Sequence, residues 1–157
     1  MDRMLNEMCF FKAKDINGNW LTGTVAYLPK SKDSENYGYY ISGNGSEPYA
    51  VKIREDTICR PLLIVDKYKN KLFENDIVKI AYNETNFGIG ILVIKNAILY
   101  FQAYEKGKVE ELQLLGLHFS DNMLVSAEFL GNKFDTDAVN LLYGENSNVS
   151  SESNIIS

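Results

Sequence analysis

Apolar residues in this chain come in short runs bounded by Gly, Asn, Asp, Ser and Pro, a pattern of strands and hairpin turns rather than of helices. Residues 9 to 14 (Cys-Phe-Phe-Lys-Ala-Lys) read as an opening strand that stops at a turn over Asp15–Asn19. There Asn17-Gly18 supplies the positive-φ positions that a tight turn needs. Trp20 to Leu28 follows as the hairpin partner, stopped by Pro29, and Lys30 to Asn36 is a polar loop. Residues 37–41 and 48–53 flank a Gly/Asn/Ser cluster, Ser42 to Glu47, of hairpin type. Leu62-Leu63-Ile64-Val65 is a short apolar run consistent with a buried strand.

A second turn-to-strand signature stands mid-chain: Asp66-Lys67, then Leu72-Phe73, Glu74-Asn75-Asp76 and the β-rich run Ile77-Val78-Lys79-Ile80. From there the pattern is a meander, with strands expected over 77–82, 87–94, 97–104, 109–115 and 122–131. Glu105-Lys106-Gly107-Lys108 is a good hairpin loop. One helix is expected: Asp135 or Thr136 caps it, Ala138, Leu141 and Leu142 share a face, and Gly144 stops it. No tandem repeat is evident. Residues 1–143 are expected to form one domain, and 144–157 a polar, flexible tail. Its apolar pair, Ile155-Ile156, is the one element there that could pin it to a partner. The fold class is mostly β, with antiparallel sheets around a barrel-like core and a short C-terminal helix.

Composition narrows the function classes. Aromatics make up 12% of the 157 residues, ten of them Tyr, which strengthens the reading as sheet. The net charge of −5, with basic residues scattered singly among acids, disfavours direct nucleic-acid binding, which needs a basic face. No segment is apolar for long enough to span a membrane. Met1 to Met8 lacks the basic start and apolar stretch of a signal peptide, so a cytoplasmic protein is expected. In that setting Cys9 and Cys59 are more simply buried thiols than a disulfide, although a disulfide is open to them.

Candidate chemistry is sparse. His118 is the only histidine, so neither a triad with a spare partner nor a multi-histidine metal site can be assembled. Glu74 and Asp76 could pair as catalytic carboxylates, but acceptors for the backbone of their turn are the better reading. Asp135-Thr136-Asp137 is explained by helix capping. Gly88-Ile89-Gly90 has no following Lys-Ser/Thr and marks a bulge or close packing rather than a phosphate loop. No catalytic residue, cofactor or metal is expected. The candidate partner surface is the tyrosine group Tyr37, Tyr39, Tyr40 and Tyr49 on the hairpin. Packing is the default role for such rings, and tyrosine is also enriched at interfaces. Tyr37 and Tyr39 are expected to share one face and Tyr40 the other.

Together these motifs resemble the YopX family of small proteins encoded by bacteriophages and prophages. Members open with an aromatic-basic strand, then Asn/Asp-Gly-x-Trp and a Gly; here these are Phe10-Phe11-Lys12, Asn17-Gly18-Asn19-Trp20 and Gly23. The family's mid-chain signature, Thr-Gly-Leu-x-Asp-Lys-Asn-Gly-Lys, an aliphatic-aromatic pair and Glu-Gly-Asp-Ile-Val, keeps Asp66, Lys67, Leu72, Phe73, Glu74, Asp76, Ile77 and Val78. Thr-Gly-Leu stands as Leu62-Leu63-Ile64, Asn-Gly as Tyr68-Lys69, and the Gly between the acids as Asn75. The closing Leu130-Gly131-Asn132 and the helix after it fit as well, so the similarity runs from about Phe10 to Leu142. The resemblance implies a mostly-β phage or prophage product with no established catalytic role. A binding function follows as the expectation, directed at a host protein such as a defence component, in a chain whose exposed strand edges favour a homo-oligomer. The alternatives are a small-molecule or nucleotide-binding β module and an acidic nucleic-acid mimic.

Overall fold

A computed structural model of the chain describes residues 10–32, 35–43, 49–114, 117 and 119–143. The chain divides into two compact units, Met1–Leu63 and Ile64–Ser157. Charge divides with them. Eight of the sixteen basic and eight of the twenty-one acidic residues precede Ile64, so the whole net charge of −5 belongs to the second unit.

In the first unit four antiparallel strands, β1 (Phe11–Lys14), β2 (Trp20–Leu28), β3 (Gly38–Ser42) and β4 (Val51–Lys52), pair in sequence order. Isolated bridges, Asp15 with Ile53 and Lys12 with Cys59, then bring the following segment back alongside β1. The core is small: Ala13, Ile41 and Ile53 are buried, with Leu21, Val25, Tyr39, Val51 and Ile58 packed around them. Alternation places it, since Val25 pairs with Ile41 across β2 and β3, and Ile41 with Val51 across β3 and β4. Thr57, in a 3-10 turn at Glu55–Thr57, accepts from the Lys14 amide (2.9 Å) and donates to the Arg54 carbonyl (2.7 Å).

Strand β5 (Pro61–Val65) carries the chain into the second unit, followed by β6 (Lys71–Phe73), β7 (Asp76–Ala81), β8 (Phe87–Lys95), β9 (Ile98–Glu105), β10 (Lys108–Gln113), β11 (Phe119–Ser120), β12 (Met123–Leu124) and β13 (Ala127–Asn132). One sheet runs β10-β9-β8-β7-β13 and is antiparallel throughout; another runs β11-β12-β5-β6, with Met123 of β12 parallel to Val65 of β5. A short helix, α1 (136–143), lays Ala138 and Leu142 on Ile77 and Ile91 of the larger sheet. The carbonyl of Asp135 accepts from the Val139 amide (3.0 Å), which makes Asp135 the N-cap.

The mostly-β architecture with its short C-terminal helix is as the sequence reads, but the expected barrel-like core is not: the sheets do not close into a barrel. The expected strand over 122–131 is two strands in different sheets, because the chain turns at Val125-Ser126 and leaves β12 for β13. β6 and β11, three and two residues long, are too short to show an alternation of their own. The tail 144–157, His118 and Cys9 lie outside the described residues.

Although the sequence carries no tandem repeat, one loop is built twice. Asp15 Oδ1 accepts from the amides of Asn17 and Asn19 (both 2.9 Å), and Oδ2 from Asn19 Nδ2 (3.2 Å). Asp66 Oδ1 accepts from the amides of Tyr68 (2.9 Å) and Asn70 (2.8 Å), and Oδ2 from Asn70 Nδ2 (3.0 Å). Each loop closes with an amide-to-carbonyl bond from its Asp to its Asn (2.9 Å in both) and turns through a positive φ, at Gly18 (86°) and at Lys69 (67°). The second copy does more. It lies along the outer edge of β13, where the Phe129 amide donates to Asp66 Oδ2 (2.8 Å) and the Lys67 amide to the Ala127 carbonyl (2.9 Å).

Candidate functional site

The β2–β3 hairpin positions the tyrosines. Gly23 lets its strands approach closely, since a Cβ there would stand 2.0 Å from the Ser42 carbonyl oxygen. Beyond Val25 and Ile41 the register sets Tyr27 opposite Tyr39, with ring centroids 5.0 Å apart at 43°. Tyr39 packs on the core of the unit, while Tyr27 is 58% exposed. Tyr27 escaped the sequence reading because its role depends on the register across a long loop.

At Gly38 the regular alternation fails. Its φ is 120°, so Tyr37 does not follow Tyr39 as simple spacing implies. Lys52, the cross-strand partner of Tyr40, passes Gly38 and brings its ammonium 5.6 Å from the centroid of the Tyr37 ring. Lys30 approaches the same ring to 5.5 Å. Tyr37 remains 43% exposed between these two cations, and Tyr49, ahead of β4, is 67% exposed. Tyr40 is half-buried between Ala26 and Lys52. The four expected tyrosines therefore serve different roles: Tyr39 anchors, Tyr40 fills, and Tyr37 and Tyr49 face outward.

Trp20 is half-buried rather than enclosed. Its ring lies under the ammonium groups of Lys12 (4.9 Å) and Lys14 (5.2 Å). Cys59 is buried and its thiol donates to the Thr57 carbonyl (3.3 Å).

The mid-chain carboxylate Asp76 serves its turn. Buried, it accepts from the Phe73 amide (2.7 Å) and from Asn132 Nδ2 (2.9 Å), and Asn132 in turn accepts from the Phe134 amide (3.1 Å). Asp135 Oδ2 accepts from the Asn132 amide (3.2 Å), so this acidic stretch ties α1 to β7 and β13. Gly88 and Gly90 lie in regular strand; a Cβ at Gly90 would stand 2.0 Å from the Gln102 carbonyl oxygen, which is close packing. Among the described residues no group of three or more His, Cys, Asp or Glu could hold a metal ion. No helix among them is long and apolar enough to cross a membrane.

No protein-family model matches this chain, and no curated protein matches it either.

Proposed function

We propose that this protein is a YopX-like phage or prophage accessory protein that acts in the host cytoplasm by non-catalytic binding to a host protein, through the outward tyrosines of its first unit. The resemblance gains support from backbone geometry. At the three mid-chain positions where the family's signature has glycine, this chain has Leu63, Lys69 and Asn75, with φ of 61°, 67° and 70°. Those are the left-handed angles that favour glycine, held here by other side chains.

The binding reading is carried by Tyr37, an exposed ring between two lysines. Rigid aromatic anchors concentrate interface energy, and flanking ammonium groups select a partner surface bearing carboxylates. The test is affinity capture from host extract with the native chain and a Tyr37→Ala/Tyr49→Ala variant. One host protein is expected to be retained by the first and lost by the second, with melting temperature nearly unchanged. Equal retention by both would overturn the role of these rings.

A second reading, a nucleotide-binding module, draws on the same geometry, because a base can stack on Tyr37 while Lys30 and Lys52 meet its phosphate. Nucleotide co-purifying with the native chain, and absent from the variant, would favour it over a protein partner.

A further inference from the structure

The five-stranded sheet of the second unit has two edges, and they are treated differently. The edge at β13 is covered by the Asp66 loop. Among the described residues, the edge at β10 is not. Glu105 and Lys108 flank the two-residue turn Lys106-Gly107, where φ is 49° and 78°, so they form a hydrogen-bonded pair and alternate residues bond to β9. Val109, Glu111 and Gln113 therefore turn their backbone N–H and C=O groups outward, and no described residue takes them up. Every residue of β10 is exposed.

A groove lies against this edge, with a volume of about 570 Å³. Gly88, Ala103, Tyr82, Glu105, Glu110 and Leu112 line it, with the Tyr82 ring packed over Gly88. Glu110 sits directly across from Ala103, so its carboxylate shares the groove face. Tyr82, Glu105 and Glu110 line the same groove, and burial, then Glu110 and Glu105, push the Tyr82 phenol above its ordinary ionisation. Lys106 and Lys108 lie at the hairpin end of the groove, while on the other face of β10 Glu111 is held by Lys95 and Gln102.

We propose that β10 is a docking edge for an extended, basic peptide segment of a partner protein, which adds as a further strand and directs a Lys or Arg side chain over Glu110 into the groove. Backbone bonds to residues 109, 111 and 113 hold the segment, and the carboxylate-aromatic groove selects cationic side chains. A second copy of the chain fits poorly. Of the antiparallel registers for β10 against itself, the two that pair five residues set either Glu110 or Glu111 opposite its own copy, and directly opposed like charges destabilise.

The test uses the full chain and an acetylated, amidated Lys-Val alternating hexapeptide, followed by fluorescence anisotropy and by amide hydrogen exchange. Saturable binding is expected, with slowed exchange at Val109, Glu111 and Gln113, and with affinity about tenfold or more weaker in Glu110→Lys. A Glu-Val hexapeptide should not bind. Exchange at those three amides unchanged at saturation, equal affinity for the Glu-Val peptide, or no effect of E110K would each overturn the proposal. So would protection of the three amides by raising the protein concentration alone, which would assign the edge to an interface between copies.

Discussion

Asp66 accepts three hydrogen bonds inside its own loop and a fourth from Phe129, 63 positions away. Burial alone would push its ionisation up, but these donors, led by the Asn70 side chain, outweigh it and hold the carboxyl below its ordinary 3.8. A folded value below the unfolded one means that the stabilisation is complete above about pH 4 and is lost as pH falls through the folded value. Asp66→Asn would turn an amide donor toward groups that already donate, and should cost about 3 kcal/mol in urea unfolding at pH 7. Asp15→Asn, in the more exposed copy of the loop, should cost distinctly less. Lys69 holds a φ of 67° on the surface with no side-chain reason to do so. Lys69→Gly should raise stability by about 0.5–1 kcal/mol, the relief of left-handed strain less the added backbone entropy of glycine. A lower melting temperature for this variant would show that the lysine does something the backbone does not reveal.

At the level of elements, α1 is fastened by an absence. A Cβ on Gly131 would stand 2.4 Å from the Ala138 Cβ, at a φ of 152° that side chains rarely adopt. Gly131→Ala should therefore lift α1 from the sheet and cost about 2–3 kcal/mol, read as a fall in melting temperature together with faster amide exchange over 136–143. This closeness shows what the sequence does and does not disclose. Strong local signals were legible: the Asn17-Gly18 turn, the runs that became β7 to β10, and the Asp135 cap are each dictated by residues adjacent in the chain. Partnerships set by tertiary register were not. Nothing local to 122–131 tells that Met123 pairs in parallel with Val65 while Ala127 pairs with Ile80 in another sheet. The same limit applied to the tyrosines, where one glycine at residue 38 overrode the alternation that spacing implied. Trp20, expected as a buried anchor after the turn, is only half-buried, with two lysines of the neighbouring strand over its ring.

For the whole molecule, titration limits stability from both sides. Asp15, Asp66 and Glu111 ionise below their ordinary values, and each stabilises the fold at neutral pH and ceases to do so on acidification. Tyr82 and Tyr104 are raised chiefly by burial, so the unfolded chain ionises first and stability should fall as pH climbs past about 10. Melting temperature against pH is expected to trace a plateau with two shoulders, and Tyr104→Phe should soften the alkaline one. The division of charge at Leu63 has a different reach. A nick between the two units would yield one piece that an anion-exchange resin ignores at pH 7 and another that it retains. At neutral pH a long-range field from net charge therefore arises from the second unit alone, and the first, which presents the outward tyrosines, contributes none overall.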